Sequence, residues 1–446
     1  MRIHRETNKS PSPFSLLQWL DRHFLELARE LRLSYLPPLM VYLAAGISGL
    51  TGIVGTFFVK EYLGLSAEFL AGLAFWAMLP WTLKLPIGHL VDLIWRFKGL
   101  LVILGASMIA VSLGIMIGLL ADRTLMESYL PAGTWYVISV LLAPVGYVIQ
   151  DVVADAMTVE AVPGTDSDGR MLSDAQQRLM HSTMQTLGRV STIAGTLIVA
   201  AVNVYMFAGV EHLHELEKIG IYLRLYQMAL CIPVISCLGV VLAVTLRYHY
   251  RRKLVRLGYT RHEIESLLRE PSITTKPNWW ILGGGLFFAL SSIGIGISNF
   301  TYGQELIFLV SSTVIIALMI RISKEMQADA RNVLVGTAIL IFFFRAVPSP
   351  GPGSSWWMID SLGFDQSFMA RLSLIGSVLS LGGLFLFRRQ MAEKPVSSIV
   401  AFLTIVGTVL SIPTIAMYYG FHHWTASLTN GIVDARFIAI IDTALE

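Results

Sequence analysis

One apolar stretch after another, each about twenty residues or longer and nearly free of charge, runs through the chain. At 1.5 Å of helical rise per residue, each can cross the roughly 30 Å hydrocarbon core of a bilayer. Hydrocarbon offers no partner to a backbone N–H or C=O, so such crossings must be helical. Eleven segments meet this length, near 36–59, 67–92, 99–121, 133–160, 180–207, 225–248, 279–299, 303–322, 329–348, 366–388 and 396–419, and a twelfth apolar stretch starts near 432. The expected fold class is therefore an all-α integral membrane helix bundle. Composition agrees, with 14% charged residues against about 25% in soluble domains.

Lys and Arg in the connections set the orientation. With the N-terminus in the cytoplasm, 24 of the 33 Lys and Arg residues fall on inner connections and 6 at the outer face, leaving Lys84, Arg189 and Arg371 inside spans. The expected location is the cell membrane, multi-pass, N-terminus cytoplasmic. Residues 1–10 are polar, and Ser15 to Leu27 mix apolar and charged groups at helical spacing, which is no cleavable signal. Residues 13–33 read either as an amphipathic helix on the membrane surface or as a helix packed on a cytoplasmic part of the same protein.

The expected organisation is a cytoplasmic tail (1–35), a six-helix bundle (36–248), a basic cytoplasmic linker (249–278), a helix pair (279–322) and a C-terminal bundle (323–446). The linker should carry a short helix from Thr260, a suitable N-cap, to about Arg269. Six spans followed by a long basic loop is the layout of one half of a major-facilitator-type transporter.

An ionisable group inside a span costs at least about 2.5–3.5 kcal/mol on insertion scales, so each needs a partner or a role. Lys84 lies in the second span, about ten residues from its inner end, in Pro80-Trp81-Thr82-Leu83-Lys84-Leu85-Pro86. Asp151 and Asp155 lie on the fourth span, four residues apart and so on one helical face. Arg189 lies at a similar depth in the fifth span. Two cations and two carboxylates at one level can neutralise one another. Three readings stand: a proton-coupled binding site, a permanent salt-bridge network, or an interfacial position with snorkelling side chains. Gly88 and Asp92 at the inner end of the second span, with Glu160 at the inner end of the fourth, suit a charge-paired cytoplasmic gate. Arg345 and Arg371 are candidates for an outward cavity that attracts an anion, or for interfacial arginines, with Asp360 and Asp365 available as partners. Trp356-Trp357 fit an interfacial aromatic belt. The small residues Gly188, Thr192 and Gly195, and Gly283-Gly284-Gly285 with Gly294 and Gly296, suit close helix packing.

Several function classes lack their marks. The glycine run 283–285 has no Lys-Ser/Thr after it, so no Walker-type phosphate loop points to an ATP-driven pump. No His, Cys, Asp or Glu grouping has metal spacing, and no nucleophile–base set stands out, so neither metal nor cofactor is expected and no enzyme is implied. Basic runs are not interleaved with aromatics, which speaks against nucleic acid. Cys231 and Cys237, six apart in one apolar stretch, point to opposite sides of a helix and read as apolar fillers.

Pro80-Trp81, Lys84, Gly88 and Asp92 resemble the second-span signature of the folate–biopterin transporter family, a branch of the major facilitator superfamily. In this chain Leu85 stands in place of that signature's proline and Val91 in place of its serine. Asp151-Val152-Val153-Ala154-Asp155-Ala156-Met157-Thr158-Val159-Glu160 is similar to the family's fourth-span motif, with both aspartates and the glutamate in register. Arg345-Ala346-Val347-Pro348-Ser349 followed by Leu362-Gly363-Phe364 resembles the start of its C-terminal half. The resemblance implies alternating access by two six-helix bundles and proton symport of a folate-like, pterin-like or other small organic anion. It places spans 1, 2, 4 and 5 around the cavity, where Lys84, Asp151, Asp155 and Arg189 fall. The expected partners are that anion, protons and membrane lipid.

Two departures from the family pattern shape the expectation. If the span at 329–348 opens the second bundle, 279–322 is an extra helix pair. The C-terminal bundle is then incomplete, either through truncation or through a short twelfth helix. A competing reading is a non-transporting membrane assembly or pigment-delivery factor, because a sister branch of the superfamily is associated with photosynthetic complexes.

Overall fold

Residues 29, 31–163, 172–268, 276–298, 300–324, 326–347 and 351–445 are described by the computed structural model of the chain. The helix expected over 13–33 falls outside them for nearly its whole length. Among the described residues ten helices are long and apolar enough to cross a bilayer: α1 (Leu33–Tyr62), α2 (Ala67–Leu93), α3 (Lys98–Ala121), α4 (Ala132–Ala161), α5 (Asp174–His212), α6 (Glu217–Arg256), α7 (Trp279–Ile297), α8 (Gly303–Arg321), α11 (Gln366–Phe387) and α12 (Val396–Tyr418). Between them lie α9 (Ala328–Arg345) and the short α10 (Gly351–Asp360), and α13 (Phe421–Leu428) and α14 (Ala435–Leu445) follow α12. The chain is an all-helical, multi-pass membrane protein.

One of the eleven expected spans turns out differently. The 329–348 stretch does form a helix, α9, but Asp329, Arg331 and Arg345 load its 18 residues with charge. Within a bilayer each of those groups would add a penalty. The apolar stretch that starts near 432 forms the helix α14 over Ala435–Leu445.

Helices α1 to α6 pack on one another through small residues that bring backbones together. Gly105 of α3 faces Gly146 of α4, and a Cβ on Gly105 would lie 2.6 Å from the Gly146 carbonyl oxygen. Gly46 of α1 and Gly195 of α5 repeat the arrangement, a Cβ on Gly195 falling 2.7 Å from the Gly46 Cα. In hydrocarbon, where apolar burial gives helices little reason to associate, such close contact supplies the dispersion energy. Polar groups seal the same interfaces. Ser112 and Ser139 exchange hydroxyl-to-carbonyl bonds of 2.8 and 3.0 Å between α3 and α4. Gln150 of α4, buried, donates to the Val102 carbonyl of α3 and accepts from the Ser236 hydroxyl of α6.

The later helices lean on this bundle. Phe385 of the helix that begins with α11 buries beside Tyr35, Leu39, Met184 and Leu187. At the other end of α11, Gln366 donates to the Tyr222 hydroxyl at 2.9 Å. Helix α10 packs on α2, and Asp360 at its end pairs with Lys60 at the end of α1. Helix α7 lies along α2 because Gly285 makes room for Pro86 and Gly296 for the Trp76 ring. In the linker, Thr260 caps the short helix Arg261–Leu267 as expected: its N–H and hydroxyl donate to the Glu263 carboxylate at 2.7 and 2.8 Å. Those two donors hold the Glu263 carboxyl below its ordinary value.

Candidate functional site

Helix α2 is two helices with a break at Leu83, between Ala67–Thr82 and Lys84–Leu93. Pro86 has no N–H to give the Thr82 carbonyl one turn back, and its ring crowds that carbonyl. The break sits beside the charge: Lys84 is the first residue of the second piece. Its partners come from α4, which continues unbroken past Pro144 and presents Asp151 and Asp155 one turn apart on the face toward α2.

The Lys84 Nζ lies 2.6 Å from Asp151 Oδ2 and 2.9 Å from Asp155 Oδ2, bridging both carboxylates. The other oxygen of Asp155 accepts a 2.6 Å hydrogen bond from the Tyr42 hydroxyl of α1. Tyr42 reaches that position because its ring rests on Gly188 of α5, where a Cβ would meet it at 3.0 Å. The Lys84 and Asp155 side chains are 44% and 45% exposed, whereas Asp151 is 20% exposed, so the cluster is least covered by protein on the Asp155 side. Arg189 stands close enough for its charge to be felt at the Tyr42 hydroxyl, yet it is exposed and makes no ion pair with either aspartate.

One lysine between two carboxylates carries one formal negative charge, and Arg189 brings the group to neutrality. At an effective dielectric constant of about 20 each contact is worth on the order of 5 kcal/mol of attraction. Holding ions away from water costs several kcal/mol apiece. The two terms offset each other, so the cluster adds little net stability while it is intact.

A second ionic group sits at the end of the bundle where α4 stops. Glu160 Oε1 accepts from Lys98 Nζ at 2.6 Å and from Arg247 at 3.0 Å, tying the start of α3 and the end of α6 to α4. The Lys98 ammonium also lies 4.1 Å over the Trp95 ring. Gly88 of α2 faces Val152 of α4 at ordinary contact distance, and Asp92 is exposed, with no hydrogen bond or ion pair from its side chain among the described residues. Asp92 thus stands outside the Glu160 group. Arg345 and Arg371 are both exposed and make no ion pair among the described residues. Their expected acidic partners are engaged elsewhere, Asp360 with Lys60, and Asp365 accepting from the Phe368 N–H at 2.7 Å at the start of α11. Among the described residues no three His, Cys, Asp or Glu side chains are placed to hold a metal ion.

With known proteins the chain shares one partial likeness of note. It is 28% identical over 91 residues to a folate-biopterin transporter of Synechocystis sp.. The matched stretch is 20% of this chain and spans 18% of that transporter's length. No family model matches the chain, and no solved structure does.

Sequence reasoning selected the charged members of the cluster by their cost in a membrane, and it missed Tyr42. A tyrosine in an apolar span is unremarkable by itself. The available signal was its spacing, one helical turn before Gly46, which places it on the face of α1 that packs on the small-residue stripe of α5.

Proposed function

We propose that the chain is a secondary transporter of small organic anions, folate-like or pterin-like, working by alternating access with proton symport. The observation that carries this reading is Lys84 bridging Asp151 and Asp155 inside a membrane-spanning bundle. The partial likeness to a folate-biopterin transporter supports the substrate class. The resemblance of Asp151 to Glu160 to that family's fourth-span motif supports the superfamily.

In this scheme an incoming carboxylate takes the place of Asp151 at Lys84. Asp151, the less exposed aspartate, is then the carboxylate left without its cation and is the proposed proton carrier, while Asp155 keeps the Tyr42 hydroxyl. Arg189, unpaired and nearby, receives a second negative group of the substrate. Lys98, Glu160 and Arg247 hold the cytoplasmic end closed beside Gly88 and Asp92, and Arg345 and Arg371 raise the local anion concentration.

Purified protein reconstituted in liposomes, given an inward proton gradient and a panel of labelled folates, pterins and simple dicarboxylates, tests the reading. Gradient-driven accumulation of at least one anion, reduced at least 100-fold in Lys84→Met, is the expected result. No accumulation of any panel member, with the protein instead co-purifying with a membrane complex, would favour the assembly-factor reading.

A further inference from the structure

We infer that the extension of α6 beyond the hydrocarbon is a binding site for anionic phospholipid headgroups. The inference is independent of whether the chain transports anything.

Helix α6 does not stop where its apolar stretch ends at Leu246 but continues as helix to Arg256. Tyr248, Arg251, Arg252, Val255 and Arg256 line a surface hollow of about 560 Å³ on this extension. Among the described residues no carboxylate lines it. Arg251, Arg252 and Arg256 are exposed and make no ion pair with a described residue, while the Arg252 guanidinium lies 4.3 Å over the Tyr248 ring. Stacking of that kind fixes the plane of the guanidinium and leaves its edge N–H groups available to a phosphate.

The position of the hollow decides the partner. Val234, Leu238, Val241 and Val244 are exposed along α6 and form its lipid-facing stripe. At 100° per residue the same stripe runs on into Tyr248, Arg252 and Val255. The hollow therefore faces the leaflet, directly above the acyl chains that cover α6, and away from the Lys84 cluster. The buried Leu254, next to the short helix Arg261–Leu267, anchors the opposite face.

Depth adds a gradation. Counted from Leu246 at 1.5 Å per residue, Arg251 and Arg252 stand about 8–9 Å out and Arg256 about 15 Å. The headgroup layer is roughly 5–7 Å thick on each side. The first two reach it by bending back their side chains, and Arg256 overshoots it. A basic side chain near an anionic surface contributes roughly fivefold in affinity.

The test uses the full chain in a neutral detergent, titrated with dihexanoyl phosphatidylglycerol, with thermal unfolding as the readout. Wild type should be stabilised by phosphatidylglycerol and not by dihexanoyl phosphatidylcholine or by glycerol 3-phosphate at equal concentration. The double variant R251Q/R252Q should need roughly 30-fold more phosphatidylglycerol for the half-maximal rise in Tm. R251K/R252K, which keeps the charge and loses the stacked guanidinium, should fall between wild type and R251Q/R252Q, and Arg256→Gln should shift the midpoint by less than about fivefold. Arg331→Gln, which removes an equal charge from α9, should leave it unchanged. The inference is overturned by any of four results: no stabilisation of wild type, equal stabilisation by glycerol 3-phosphate or phosphatidylcholine, an R251Q/R252Q midpoint within twofold of wild type, or an equal shift in Arg331→Gln.

Discussion

Helices α3 and α12 are both apolar enough to span a bilayer, yet they live in different surroundings. In α3, 44% of the apolar window is buried against other helices, and in α12 none of it is. The contrast holds for their regions. Residues 33–256 contain the glycine pairs that bring two helix backbones together, the serine and glutamine bonds between helices, and two multi-residue ionic groups. Residues 328–445 contain long exposed apolar faces, and their arginines Arg345 and Arg371 stand alone. In a membrane, hydrophobicity places a helix but does not pack it. Packing comes from small residues and polar bonds, and these are concentrated in the first region.

The comparison can be broken most directly by crowding each region. Gly195→Leu should force α5 away from the α1 backbone and destabilise the protein by about 3 kcal/mol. The matching change Gly407→Leu in α12, where nothing lies within 4 Å, should leave thermal unfolding unchanged. Equal losses in the two variants would mean that α12 is packed as tightly as α5.

A smaller effect is expected from the charge cluster. Lys84→Met leaves two facing carboxylates without a cation and should cost about 1–3 kcal/mol, between the values for exposed and buried pairs. Adding Asp151→Asn and Asp155→Asn to that variant should restore most of the loss. Failure of the triple variant to recover would point to packing by the lysine stem rather than to charge. Glu160→Gln should cost about 1–2 kcal/mol, because Lys98 and Arg247 then face each other. Denaturant midpoints of the single and paired variants measure it.

The smallest effect belongs to the linker. The donors from Thr260 lower the folded value of the Glu263 carboxyl. The capping contribution is therefore present above the ordinary glutamate value and is lost as pH falls through the folded one. Amide exchange over 264–268, corrected for intrinsic rates, should lose protection in Thr260→Ala at neutral pH, and wild type should approach the variant as the solution is acidified. Protection in wild type that is flat across that range would contradict the cap.

Spans and their order were legible because membrane insertion is written in local composition, residue by residue. The pairing of Lys84 with Asp151 and Asp155 was legible for a related reason: few charges enter hydrocarbon, and matching depth restricts their partners. Arg189 had the right depth but lies on an exposed position, since depth says nothing of the direction a side chain takes around its helix. Asp360 and Asp365, available in the sequence as partners for Arg345 and Arg371, are engaged by Lys60 and by the Phe368 N–H instead, because both sit at helix ends, where such contacts depend on how α10 and α11 dock. The break at Leu83 follows from Pro86, yet its consequence, Lys84 opening a new helix beside two carboxylates, needed the neighbouring α4. Tyr42 was hidden by being uncharged.

The central claim is that an anion enters the Lys84 cluster and transfers the need for a counter-charge to Asp151. Calorimetric titration of the anion found by the uptake panel, repeated in buffers of different ionisation enthalpy, counts the protons taken up on binding. Near neutral pH the count should be close to one for wild type and close to zero for Asp151→Asn, with Asp155→Asn resembling wild type. Binding without proton uptake in wild type, or the same count in Asp151→Asn, would contradict it.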